Sequence, residues 1–264
     1  MAQEVFERYE KKYLLDTPQY HSLICEMVKW MCADQFGRHI ISNIYFDTGN
    51  FELIRRSIEK PEYKEKVRLR AYGPVSQDST VFAELKKKAG GIVYKRRAAL
   101  KLKEARDFLY RGICPEPGSQ IIKEIDYAMK RWGLLPKAFI AYDRLAFFGR
   151  EDPELRVTFD RRMRGRRNRL DLAGGDFGTE LIQPDQVLME MKIPGAMPLW
   201  MSRRLSELSI FPVSYSKYGM YYKENIYKQG SYREDMMKSS GSWRLNRCGK
   251  TDSREGEEGG EYCA

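Results

Sequence analysis

The chain has 264 residues, 42% of them hydrophobic, and its 47 basic and 37 acidic side chains leave a formal net charge of +10. That length supports one sizeable core, and the charge balance points to a polyanionic partner such as nucleic acid, an acidic membrane surface or a phosphate-rich small molecule. Five scattered cysteines without a CxxC pair (Cys25, Cys32, Cys114, Cys248, Cys263) argue against a disulfide framework and a zinc site, and fit a reducing, cytoplasmic setting.

Along the chain, period-two alternation dominates, the mark of half-buried strands. The N-terminus is charged from Glu4 onward, with no apolar signal core, and residues 6–15 open as a strand. Asp16-Thr17-Pro18 starts a helix, and Tyr20, Leu23, Ile24, Met27 and Met31 form its apolar stripe. Residues 43–46 form a second strand, closed by Asp47-Thr48-Gly49. Residues 65–72, 80–88 and 92–100 read as a meander turning at Gly73-Pro74 and Gly90-Gly91. A helix over 119–132 carries Ile121, Ile122, Ile125, Met129 and Trp132, with Gly133 as its stop.

Strands at 139–147, 155–162 and 186–193 follow, then a helix after Pro198 with Trp200, Leu205 and Leu208, then a ninth extended segment at 213–221. The helical stripes read as core packing. From Gln229 the composition turns polar and Gly-rich, so 1–228 is expected to be the folded domain and 229–264 a disordered tail. The tail's six basic and seven acidic residues nearly cancel, which leaves the positive excess on the body. No apolar run approaches the roughly 18 residues that span a bilayer. The class is α+β, dominated by an antiparallel sheet.

Alternate strand residues point to opposite faces. One face of 66–71 carries Lys66, Arg68 and Arg70. Glu84 and Lys86 share a face, as do Tyr142 and Arg144, then Arg156, Thr158, Asp160 and Arg162, then Leu188, Glu190 and Lys192. A wet sheet face ordinarily mixes both signs, because adjacent like charges repel. Faces this rich in Arg and Lys suit a bound polyanion, and the planar guanidinium fork bonds phosphate oxygens two at a time. The few carboxylates suit Mg or Mn, which binds through one or two carboxylates plus phosphate oxygens. Glu190, Glu84 and Glu10 are the candidates, each of which could instead pair with a neighbouring cation. There is no Walker loop or dinucleotide fingerprint and no nucleic-acid-binding motif. Two histidines, His21 and His39, offer little for a nucleophile–base system.

The ordered series Arg8-x-Glu10-x-Lys12-Tyr13, Tyr45-Phe46-Asp47-Thr48, Arg68-x-Arg70-x-Tyr72-Gly73, Glu84-x-Lys86, Tyr94-Lys95-Arg96-Arg97, Tyr142-x-Arg144, Arg156-Val157-Thr158-x-Asp160, Glu190-x-Lys192 and Ser216-Lys217-Tyr218 resembles the VTC domain. That is the polyphosphate polymerase domain of the vacuolar transporter chaperone family, a branch of the triphosphate tunnel metalloenzymes (the CYTH superfamily). The resemblance implies a closed barrel, or tunnel, of about eight antiparallel strands with flanking helices, which would leave no open sheet edge.

It also implies transfer of the terminal phosphoryl group of ATP to a growing polyphosphate chain. Lys12, Arg68, Arg70, Lys86, Arg144, Arg156, Lys192 and Lys217 would carry the catalytic charge, Tyr142, Lys95 and Arg8 would assist binding, and Glu190, with Glu84 and Glu10, would hold a divalent Mn or Mg ion. Hydrolytic relatives typically begin Glu-x-Glu-x-Lys, and Arg8 stands at the first of those positions, which favours an extra phosphate over a metal ligand. The family's regulatory module and membrane segment are absent from this sequence, so a stand-alone bacterial version is implied, with a membrane-protein partner by analogy. A tunnel-fold triphosphatase and a non-catalytic polyphosphate-binding module are the alternatives.

Overall fold

In a computed structural model, described for residues 8–90, 92–116 and 118–228, the alternation becomes a single sheet. Its strands are β1 (Arg8–Leu15), β2 (Met31–Ala33), β3 (His39–Asp47), β4 (Lys64–Tyr72), β5 (Thr80–Ala89), β6 (Ile92–Lys101), β7 (Leu135–Gly149), β8 (Arg156–Arg166), β9 (Thr179–Glu180) and β10 (Val187–Pro194). Eight of them run in the order β1-β10-β8-β7-β3-β4-β5-β6, with β2 added to β7 and β9 to β8. Every pairing is antiparallel. The helices are α1 (Thr17–Trp30), α2 (Glu52–Ile58), α3 (Leu102–Arg111), α4 (Gln120–Trp132), α5 (Leu199–Glu207) and α6 (Lys217–Tyr222). The chain divides into two compact units, residues 1–222 and 223–264, and the sheet belongs to the first. The tail expected at 229–264 lies outside the described residues.

Apolar strand positions face outward and are covered by helices in two clusters. On one side Val67, Leu69 and Ala71 of β4 and Val81, Ala83 and Leu85 of β5 pack against Leu102, Ala105, Phe108 and Leu109 of α3 and Ile122, Ile125 and Ala128 of α4. On the other, Val187, Met189, Met191 and Ile193 of β10 and Val157 and Phe159 of β8 pack against Leu23 and Met27 of α1 and Met201 and Leu205 of α5. Each Val, Leu, Ile, Phe or Met side chain so removed from water contributes roughly 1.5–3 kcal/mol. With the apolar faces turned outward under helices, the charged faces line the concave side.

The sheet curls, because Glu10 and Lys12 of β1 and Val93 and Lys95 of β6, the two ends of the strand order, line one cavity. It does not close. β1 pairs with β10 and β6 with β5, and among the described residues no ladder joins β1 to β6, so the closed barrel expected from the resemblance is an open half-barrel here. Both edges bring cations to the concave side, Lys12 from β1 and Lys95 from β6, and like charges on directly paired strands are destabilising.

The extended segment expected at 213–221 is also replaced: residues 213–216 are irregular and α6 follows. Asp47 explains part of this. Its buried carboxylate accepts from the backbone of Thr48, Leu53 and Ile54, capping α2, and from the Tyr218 hydroxyl at 3.0 Å, which ties α6 to β3. The start of α1 follows the sequence signal, with a reciprocal capping box between Asp16 and Gln19.

Leu69 lies between two inward arginines yet is 0% exposed in the outer core. Leu69→Ala is expected to cost about 2–5 kcal/mol. The reading is a lower urea midpoint with an unchanged denaturant slope.

Candidate functional site

Because residues two apart share a face, each strand delivers a short charged row to the concave side, where they surround a cavity of about 280 Å³. Nine basic side chains line it (Lys12, Lys66, Arg68, Arg70, Lys86, Lys95, Arg144, Lys192, Lys217) together with three carboxylates, Glu10, Glu84 and Glu190. Tyr45, Tyr142, Ser216 and Tyr218 add hydroxyl groups.

Two ion networks hold this surface together. In the first, Arg144 donates from Nε and Nη2 to the two oxygens of Asp160, each at 2.6 Å, and reaches Glu190 Oε2 at 3.3 Å. Lys217 Nζ lies 2.7 Å from both Asp160 Oδ2 and Glu190 Oε1. Lys12 Nζ is 3.4 Å from Glu190 Oε1 and 3.4 Å from Glu10 Oε1, and donates to the Tyr215 carbonyl at 3.0 Å. Burial alone would raise the Glu190 carboxyl, but Lys217, Lys12 and Arg144 hold it well below the usual range. Burial opposes the charge on Lys217 as well, and Asp160 and Glu190 outweigh it, so the ammonium stays protonated.

The second network surrounds Glu84, which is 2% exposed. Arg68 Nε donates to Oε2 at 2.6 Å and Arg97 Nε to Oε1 at 2.7 Å, with Lys95 at 3.4 Å. Against the upward pull of burial, Arg68, Arg70 and Lys95 bring this carboxyl down to about 2. Arg70 donates Nε to Asn43 Oδ1 and Nη2 to the Tyr142 hydroxyl. Tyr142 sits under the Arg144 and Lys217 cations.

Lys66, Lys86 and Lys192 line the cavity with no ion-pair partner among the described residues. Burial, reinforced by Arg68, Lys86, Lys12 and Lys64, pushes the Lys66 ammonium down to about 7. Its charge therefore depends on whether an anion is beside it.

Of the residues expected from the sequence, Lys12, Arg68, Arg70, Lys86, Lys95, Tyr142, Arg144, Lys192, Lys217, Glu10, Glu84 and Glu190 meet in this one cavity. Arg156 does not line it: its half-exposed side chain lies 3.8 Å from Glu154. Arg8 pairs with Pro194 through its backbone, and its side chain lies outside the described residues. The structure adds Lys66 and Asp160, which sequence alternation puts on the inward face, and Tyr45, whose ring stacks on Tyr218 at 4.8 Å. Arg97, which the sequence series also contains, closes one side of Glu84.

Metal donors are sparse. Among the described residues no three His, Cys, Asp or Glu side chains form a cluster able to hold an ion. Both Glu84 oxygens are held by guanidinium groups at 2.6 and 2.7 Å and its side chain is 2% exposed, so Glu84 fits a metal ligand less well than Glu190. The Glu190 oxygens also carry cations (Lys217 at 2.7 Å, Arg144 at 3.3 Å), but this carboxylate is more open to the cavity. Glu190 and Glu10, one 16% and one 38% exposed in their side chains and sharing the Lys12 ammonium, fit the pattern of two carboxylates completed by substrate oxygens.

The VTC domain model matches residues 7–224. Among solved structures, a proposed adenylate cyclase from Bacillus halodurans is 15% identical, with 82% of this chain and 96% of that chain covered and a TM-score of 0.50. A proposed adenylyl cyclase from Hippeastrum with a dominant triphosphatase activity is 16% identical over 81% and 94% of the two chains, with a TM-score of 0.49. The first of these shows a shared fold. Among the described residues, no helix is long and apolar enough to cross a membrane.

Glu84 titrates in this fold far below its ordinary value of 4.5, so on acidification the unfolded chain takes its proton first. The stability contributed by this carboxylate is full above that ordinary value and is lost as pH falls toward 2. Glu84→Gln is expected to lower the urea midpoint at pH 7, since Arg68 and Arg97 lose their partner. It should also flatten the acid limb between those two values. An acid limb identical to the parent's would contradict the assignment.

Proposed function

The chain belongs to the VTC domain family, and from that premise we propose that it is a polyphosphate polymerase, transferring the terminal phosphoryl group of ATP to the end of an inorganic polyphosphate chain. The observation that carries this reading is the cavity's imbalance: nine cations against three carboxylates, two of which are already held by several cations each. A site of this sign attracts a polyanion and repels cationic ligands.

In the transfer, the bond from the terminal phosphorus of ATP to its bridging oxygen breaks, and ADP leaves with the electron pair. A new bond forms to a terminal oxygen of the chain. That acceptor oxygen is already anionic near neutral pH, so the reaction needs no strong general base. It needs cations that suppress repulsion between two anions and neutralise charge as it spreads over the transferred group. Arg68, Arg70 and Arg144 are suited to this because Glu84, Asn43, Tyr142 and Asp160 fix their guanidinium planes. Lys66, Lys86 and Lys192 bring ammonium groups that have no ion-pair partner among the described residues. Glu190 and Glu10 would hold a divalent Mn or Mg ion, which when bound supplies further positive charge to the phosphate oxygens. Lys217 and Lys12 set the position of Glu190 from either side.

The test is incubation with ATP and Mn or Mg, read by gel for long polyphosphate and by a free-phosphate assay. A ladder of polyphosphate is expected. Glu190→Ala and Arg68→Ala should each lower its rate by about 10²–10³-fold, while Lys29→Ala, on the exposed side of α1 beside Glu26, should leave it unchanged. Free phosphate without a ladder would make the enzyme a triphosphatase, and neither product would leave a binding module.

A further inference from the structure

At one end of the cavity a group of lysines has no ion-pair partner among the described residues. In the antiparallel register of β4 and β5, Lys64 stands opposite Lys88 and Lys66 opposite Lys86. None of the four has an ion-pair partner among the described residues, and the Lys64 ammonium donates only to the Ser57 carbonyl, at 3.4 Å. The residues between them on the outer face behave differently: Glu65 stands opposite Lys87, and their charges meet at 3.9 Å. One step further along the inner face, Arg68 is opposite Glu84 and bonded to it. The unbalanced stretch is thus confined to two consecutive facing pairs on the concave side.

Directly opposed like charges destabilise a sheet, and two such pairs in succession are a cost that a polyanion laid along them would offset. Lys66 and Lys86 line the cavity, and Lys64 and Lys88 continue the row beyond its lining. Same-face neighbours on a strand are separated by about 6.6–6.8 Å, so the row lengthens the cationic surface by that much past the cavity. Lys86 also feels Glu10 and Glu190, which joins the row to the end where a metal would sit. Burial and the neighbouring Lys88, Lys86 and Lys60 pull the Lys64 ammonium downward, and Lys66 is similarly pressed by Arg68, Lys86, Lys12 and Lys64 while its ammonium lies over the Tyr45 ring.

We propose that Lys64, Lys66, Lys86 and Lys88 form a track for the part of a linear polyphosphate chain that lies beyond the reacting phosphates, and that this track makes the protein prefer long chains to short ones. The proposal rests on the reading of the cavity as a polyphosphate site. A linear polyanion can occupy the cavity and the track together, and a triphosphate confined to the cavity cannot reach Lys64 and Lys88.

The experiment uses the full chain and the double variant Lys64→Gln/Lys88→Gln, with isothermal titration of inorganic tripolyphosphate and of long-chain polyphosphate over a range of salt concentrations. The variant is expected to lose about tenfold or more in affinity for the long chain and to reduce its salt slope by roughly one to two, with tripolyphosphate affinity changed by less than about twofold. Lys64→Arg/Lys88→Arg should restore the long-chain affinity, which separates loss of charge from loss of fold. An equal loss for both ligands, or no loss for the long chain, overturns the track while leaving the cavity's function standing. If the parent protein binds neither ligand, the track and the polyphosphate reading fall together. Length-dependent binding in a protein that makes no polyphosphate would refute the polymerase and keep the track.

Discussion

Nine basic side chains directed into one concavity repel each other, and the position of the carboxylates decides how the fold tolerates them. Glu84, Asp160 and Glu190 are each bonded to two or more cations. Each of these partly or fully buried carboxylates needs such partners, since removing one partner from a buried ion network leaves a charge uncompensated. The outcome is a surface with rigid guanidinium groups at its centre and unpaired ammonium groups around them. The rigid groups fix geometry, and the unpaired ones keep the net sign that an anionic ligand meets.

The same constraint shapes the outer layers. A sheet whose inner face is charged must bury its other face, and α3 and α4 on one side and α1 and α5 on the other do so. The helices also explain why the curl persists without a closing ladder: two separate cores hold the two halves of the sheet, and β7 and β3 pair between them. Asp47 links these layers to the site. It caps α2 and accepts from Tyr218, whose ring stacks on Tyr45 and whose chain neighbour is Lys217. Through that contact a buried carboxylate at the end of β3 positions an ammonium at the cavity.

The strands were legible in the sequence because alternation is a direct image of a two-faced sheet, and β4, β5 and β6 match the expected meander within one residue at each end. Elements whose causes lie elsewhere in the chain were not legible. α2 begins after Phe51, held at a left-handed φ of 63°, and is capped from Asp47. α3 follows β6 directly with no Gly or Pro between them, although its apolar residues Leu102, Ala105, Phe108 and Leu109 have helical spacing. Residues 213–221 alternate like a strand, yet the end of that stretch is helical because Lys217 and Tyr218 are bound by Glu190, Asp160 and Asp47. Sequence also placed Lys66 and Asp160 on the inner face without saying which inward groups meet, since pairing depends on strand order. Arg156 shows the converse: it has the right parity but sits beside Glu154, outside the lining.

On the proposed reading, the concave cationic cavity would take a triphosphate chain, and Glu190 and Glu10 would hold a divalent metal beside it. This reading is tested most directly by a crystal structure with Mn and a non-hydrolysable ATP analogue, the metal being located by its anomalous signal. The account predicts a Mn peak within bonding distance of Glu190, with the triphosphate oxygens on Arg68, Arg70, Arg144 and Lys86. A triphosphate on the outer surface, or a metal away from both carboxylates, would contradict it.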